Sequence, residues 1–198
     1  MKLRWKGCFE REEQLARAEL PGNAALLQEP ETLEEMAKQS PKMLWWAVIP
    51  ASSAFVVRWY LWGLPGLWDW FHPLGILWFL LLIVPHELLH AAGYPRKAIC
   101  ELWTSPKNQC LFVICTAPVT KRRFVGISLM PAIVLGILPL LGWCLFPSLK
   151  GSVFIAAILQ LGACCGDLFN TQNVLRQIPK GAVVQQSGLH TYWYQKEN

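Results

Sequence analysis

The chain has 198 residues, 54% of them hydrophobic and 16% charged, with 11 tryptophans and a formal net charge of +5. A soluble domain carries roughly 25% charged residues, and here the apolar residues are gathered into blocks, which argues against a water-soluble globule and for a membrane protein. The seven cysteines are odd in number and form no CxxC pair, so neither a disulfide framework nor a second metal site is expected.

Residues 1–42 hold seven Lys/Arg and eight Glu, with turn signals at LPGN and EPET and a short amphipathic helix expected in TLEEMAKQS. No early apolar core precedes a small-residue cleavage site, so the first spanning segment is expected to act as an uncleaved anchor. This N-terminal segment reads as a small cytosolic cap with no chemistry in view. Four apolar segments follow, at about 43–63, 74–94, 125–147 and 151–176. Each is near the ~20 residues needed to cross a hydrocarbon core, and most lack the polar face of a soluble helix. The expected fold is therefore an all-α membrane protein. It is a four-transmembrane-helix bundle over residues 43–177, with a cytosolic tail at 178–198. Between the second and third spans, AICELW and CLFVICT around TSPKNQ read as a β-hairpin.

All of the 18 Lys/Arg except Arg58 and Lys150 fall on the side shared by the two termini and the 95–124 connection. By the positive-inside rule that side is cytosolic, giving a multi-pass protein of the cell membrane. Arg58, near the outer end of the first span, is expected to snorkel.

The second span contains LLIVPHELLHAAGY, in which His86, Glu87 and His90 form HExxH. Positions four apart on a helix differ by 40° around its axis, so both imidazoles can converge on one zinc ion. Glu87 lies beside them and can act as general base toward a zinc-bound water. Ionisable groups at that depth cost roughly 2.5 kcal/mol or more each unless paired or ligated. A peptidase site needs a third protein ligand. The extension HExxHxxGxxH fails because Arg96 stands where the third His would be. Glu101 lies in the expected hairpin, His72 on the opposite side of the membrane, and His190 in the tail. Asp167 remains: it is the other acid inside a span, and its helix runs in the same direction as that of His86 and His90, at a similar depth. Gln160, Asp167, Asn170 and Val174 make a stripe at helical spacing, polar but for Val174. Asn170 and Asn173 either hold the Asp167 carboxylate, bond a substrate carbonyl, or serve as ordinary helix-end polar residues.

HExxH in one membrane helix with an aspartate in a later one is similar to the site-2 protease class of intramembrane zinc metallopeptidases. PHELLHAAGY, TKRRFVGISLMP, GDLFN and IPKGAVVQQSGLHTYWY more closely resemble a bacterial family of zincin-like membrane peptidases known as a domain of unknown function. The likeness runs over roughly residues 80–198, and more loosely over LPGNAALLQEP. It implies His86, His90 and Asp167 as zinc ligands, Glu87 as catalytic base, and membrane proteins or membrane-associated peptides as substrates. Site-2 proteases usually carry their aspartate in NxxPxxxxDG, whereas here it sits in GACCGDLFN. The expected activity is zinc-dependent endopeptidase near the cytosolic face, with the bilayer as partner and no nucleic acid. A non-proteolytic zinc-bound scaffold or pseudoprotease is the alternative; a transporter is disfavoured because no inverted halves match.

Overall fold

The computed structural model describes residues 1–30 and 32–195. Glu31 of the EPET turn and Lys196 of the tail, one of the charges counted as cytosolic, lie outside the described residues. The architecture is mixed rather than all-α: seven strands form two sheets among the described residues. In chain order the elements are β1 (Lys2–Cys8), β2 (Ala25–Leu26), α1 (Leu33–Gln39), α2 (Trp45–Trp62), α3 (Leu67–Trp70), α4 (Leu74–Leu81) and α5 (Ile83–Gly93). Then come β3 (Ile99–Ser105), β4 (Cys110–Cys115), β5 (Val119–Thr120), α6 (Lys121–Pro131), a π-helical segment (Ala132–Ile137) and α7 (Leu138–Leu145). The chain closes with α8 (Gly151–Ala163), α9 (Cys165–Gln177), β6 (Val183–Ser187) and β7 (His190–Tyr194).

The hairpin expected after the second apolar segment is present as β3 and β4, paired antiparallel from Cys100↔Cys115 to Ser105↔Cys110. The N-terminal segment supplies β1, which runs parallel to β3 and gives the sheet order β1-β3-β4. The second sheet, β2-β7-β6-β5, is assembled from the N-terminal segment, the chain just before α6, and the tail. The all-α expectation failed because these strands are short and pair across the length of the chain: Lys2 faces Ile99, and Ala25 faces Trp193. No local periodicity reports such pairings.

The four-span expectation is also corrected. Among the described residues one helix, Lys121–Leu145, is long and apolar enough to cross a membrane, with 25 residues and a mean hydropathy of 2.4. Two further spans would be reached only if each of two bent pairs is a single one: Leu67–Leu81 with Ile83–Gly93, bent by 47°, and Gly151–Ala163 with Cys165–Gln177, bent by 45°. The first break has a visible cause. Pro85 has no N–H to give the Leu81 carbonyl, and its ring crowds the preceding turn; the helix closes at Leu82 and restarts with His86 N–H on the Leu82 carbonyl at 2.9 Å. The second break, at Cys164, is flanked by Gly162 and Gly166, which weaken a helix interior. The helix α2 stands outside this set: it carries four tryptophans and Arg58 in 18 residues.

Two cores result. One joins α5, α6 and α9 to the strands through Ala91, Tyr94, Cys100, Phe124, Val174 and Val184. The other packs α2, the π-helical segment, α7 and α8 around the fully buried Trp143. Gly75 lets α4 lie on α8, since a Cβ there would stand 2.5 Å from Ile155 Cβ and 2.7 Å from the Ser152 carbonyl.

Arg58 does not snorkel. It is 4% exposed and donates to the carbonyls of Trp143, Phe146 (3.3 Å), Pro147 (3.1 Å) and Leu149 (3.4 Å), with its guanidinium 4.5 Å from the Trp143 ring. The last carbonyls of α7 have no intrahelical donor, and a cation at a helix C-terminus is favoured by the helix dipole. Replacing Arg58 by Met should leave several buried carbonyls unsatisfied and cost about 2–4 kcal/mol. Melting of the purified protein reads this as a clear loss of stability; an unchanged transition would contradict the assigned capping role.

Candidate metal centre

His86, Glu87 and His90 lie on α5, one turn and two turns after the Pro85 break, and Asp167 lies in the first turn of α9, just after the Cys164 break. The two restarted helices bring their side chains together. Asp167 Oδ2 is 3.3 Å from His86 Nε2, Asp167 Oδ1 is 3.2 Å from His90 Nε2, and the two Nε2 atoms are 3.3 Å apart. Ligand atoms 2.0–2.1 Å from a tetrahedral ion stand about 3.3–3.4 Å from each other. The two imidazole nitrogens already stand at that spacing, each has one Asp167 oxygen at it, and the three residues could hold one ion between them; nitrogen–oxygen sets of this kind suit zinc.

The outer nitrogens of both rings are fixed. His86 Nδ1 bonds Gln160 Oε1 at 3.2 Å and His90 Nδ1 bonds the Ile127 carbonyl at 3.0 Å. Either acceptor requires Nδ1 to carry the proton, which leaves the Nε2 lone pair free for a metal. The Ile127 carbonyl is available because its partner four residues on would be the N–H of Pro131, which has none. Gly93 allows the approach: a Cβ there would stand 2.5 Å from Ile127 Cγ1.

A cavity of about 270 Å³ opens on this group, lined among others by Glu87, Tyr94, Val113, Asn170 and Glu29. The Glu87 carboxylate accepts a hydrogen bond from the backbone N–H of Val113 on β4. β4 is an edge strand, and two residues along, the Cys115 N–H points out of the same edge to Gln186 Oε1 at 3.5 Å. Asn170 reaches the cavity with a buried Oδ1 that finds no protein donor among the described residues, whereas Asn173 is not part of the lining. Gln160, from the same polar stripe, holds His86. The other candidate ligands are engaged elsewhere. Glu101 pairs with Lys6 at 3.2 Å, His72 accepts from the Leu74 N–H at 3.3 Å, and His190 stands 3.9 Å from Glu12.

Sequence reasoning missed Tyr94 and Glu29. Tyr94 sits one turn beyond His90, so its face was legible; its hydroxyl donates to Gln186 Oε1 at 3.1 Å. Glu29 arrives from the segment that offered no chemistry. Burial without a cationic partner pushes its carboxyl up from 4.5 to about 7, against hydrogen bonds from the Thr191 backbone N–H and hydroxyl that favour the charged form.

A pair of helix-borne imidazoles with a carboxylate third donor and an adjacent free glutamate is the constellation of a zinc-dependent peptidase of the HExxH class. The family model described as "Putative zincin peptidase" matches residues 79–183, more than half of the chain, and the protein belongs to that family. Family membership implies zinc, and the His86–His90–Asp167 group fits it. No curated protein and no solved structure gives a significant match to the chain.

Two predictions follow from this geometry. Metal analysis should find about one zinc per chain, lost in His86→Ala and Asp167→Ala, while Gln160→Leu should weaken binding about 10–100-fold without abolishing it. Equal zinc in wild type and Asp167→Ala would remove the aspartate from the ligand set. For Glu29, the folded carboxyl keeps its proton over a pH range in which the unfolded one has lost it, so this group's contribution to stability falls as pH rises from about 4.5 to about 7. Glu29→Gln should therefore melt above wild type at pH 8, with the difference vanishing toward pH 5 in a thermal-shift series.

Proposed function

We propose that the protein is an integral membrane zinc endopeptidase of site-2 protease type, acting on membrane proteins or membrane-associated peptides near the cytosolic face of the cell membrane. The observation that carries this reading is the convergence of His86, His90 and Asp167 beside Glu87 in one cavity at two helix breaks. Zinc held by these three residues would polarise the scissile carbonyl and make hydroxide available at neutral pH. Glu87, kept off the ligand set and oriented by the Val113 N–H, takes the proton of the attacking water and returns it to the leaving nitrogen. Asn170, on the Asp167 side of the cavity, is positioned to donate its amide hydrogen to the substrate carbonyl as charge develops there.

The β4 edge supports an extended substrate. Leu111 and Val113 line the cavity, and the outward backbone groups of this edge, apart from the Val113 N–H that Glu87 holds, can pair with a peptide by strand addition. A helical substrate must unwind first, because its carbonyls are otherwise bonded internally. The membrane setting draws its support from the apolar Lys121–Leu145 helix and from outward-facing Trp45, Ile49, Tyr60, Leu77, Leu138 and Leu145.

Glu87→Gln tests the reading in proteoliposomes that contain single-span substrate candidates. The variant should keep its zinc and lose about 10²–10⁴-fold in cleavage rate, accumulating bound substrate that wild type converts to product. Full cleavage by Glu87→Gln would refute the assigned base. Wild type that holds zinc and partners but yields no product would favour the scaffold.

A further inference from the structure

Glu29 is the one side chain that residues 1–30 contribute to the cavity of the metal centre. Its position is built by three successive anchors. Ala25 and Leu26 pair with Trp193 and Tyr192 of β7. Leu27 is 2% exposed, and its N–H donates to the Thr191 carbonyl at 2.9 Å. Gln28 exchanges two hydrogen bonds with the Gln177 side chain at the end of α9, each 2.9 Å long. The Glu29 carboxylate then accepts the Thr191 backbone N–H.

The charges around the cavity balance without the Glu29 carboxylate and not with it. The lining holds three carboxylates, Glu29, Glu87 and Asp167, two imidazoles, and no Lys or Arg. Asp167 faces both imidazoles. A divalent ion in that group offsets Asp167 and Glu87, so their local sum is zero while the Glu29 charge is left over. Among the described residues no Lys, Arg or His stands within ion-pair distance of Glu29. A half-buried carboxylate facing a cavity without a counter-charge is held at a cost, and a cation entering the cavity removes that cost.

We propose that Glu29 is a specificity-determining residue that binds a cationic nitrogen of the substrate. That nitrogen is either a Lys or Arg side chain near the scissile bond or a free α-ammonium. The inference rests on the peptidase reading above. It adds a substrate class to that reading, and it joins the N-terminal segment to a site whose metal-binding and base residues lie in α5 and α9.

The test uses full-length Glu87→Gln protein, loaded with zinc in detergent, and three extended decapeptides read by fluorescence anisotropy. One is N-acetylated with a central lysine, one has a free N-terminus and no lysine, and one is N-acetylated with norleucine in place of lysine. One of the two cationic peptides should bind at least tenfold more tightly than the norleucine peptide, and which one identifies the source of the nitrogen. Adding Glu29→Gln should collapse the three affinities onto that of the neutral peptide. Gln keeps an acceptor for the Thr191 N–H, and zinc content and melting temperature serve as checks that the double variant is folded. Equal binding of cationic and neutral peptides, or a preference that survives Glu29→Gln, would overturn the inference and leave the peptidase reading standing. Failure of all three peptides to bind the zinc-loaded protein would overturn the peptidase reading and this inference with it.

Discussion

Two imidazoles can share a carboxylate and a metal only if each turns an unprotonated ring nitrogen toward it, and that demand organises much of this protein. An unrestrained histidine rotates and exchanges tautomers; here each Nδ1 is tied to an acceptor on a different helix. Gln160 on α8 holds His86, and the Ile127 carbonyl on α6 holds His90. The Asp167 oxygens come from α9, and the rings themselves from α5. The site is thus the point at which four helices agree in position. Prolines and glycines, ordinarily liabilities in helices, are the means. Pro131 frees the Ile127 carbonyl, Pro85 restarts α5 just before His86, and Gly93 brings α6 within reach.

The candidate metal ligands were legible in the sequence because their chemistry is at odds with its surroundings. Three ionisable residues in an apolar block demand an explanation, and the i, i+4 spacing of His86 and His90 supplies one. Asp167 was legible for the same reason, as the other acid in an apolar segment. The strands were not. β3 and β4 declared themselves through β-branched and aromatic runs around a turn, and a similar signal lies in VVQQSGLHTYWY, where Gly188 takes a φ of +63° between β6 and β7. Reading those residues as a plain tail let the hydropathy of the helices decide the fold class. β1 gives even less local indication, since five of its seven residues are Lys, Arg, Gly or Cys, and its pairing with β3 spans nearly half the chain. Its partners, not its pattern, make it a strand.

The same long-range pairing explains why Glu29 was invisible. Along the sequence it is one acid among eight in a charged segment, indistinguishable from Glu19 or Glu31. Only the pairing of β2 with β7, the burial of Leu27 and the Gln28–Gln177 exchange single it out. Arg58 shows the converse. Its position near the end of an apolar helix suggested a side chain reaching for water, yet the carbonyls at the end of α7 are nearer and satisfy more of its donors.

The bends at Leu82 and Cys164 and the cavity are one feature rather than two. A continuous helix keeps its backbone groups paired and its side chains at fixed angular intervals, so two straight, parallel helices would present the HExxH face and the aspartate at whatever separation their packing allows. Breaking each helix within two turns of its ligands frees the restarted halves to reorient, by 47° and 45°, without moving the apolar halves. The second break also puts Asp167 in the first turn of α9, where the unpaired N–H groups of a helix start favour a carboxylate. In an apolar environment such irregular backbone is tolerated only where it is covered by protein or lines a polar space. The cavity that receives Glu87, Asn170 and the β4 edge provides that space. Its polar lining therefore accommodates the breaks, while the breaks deliver the ligands that make the lining useful.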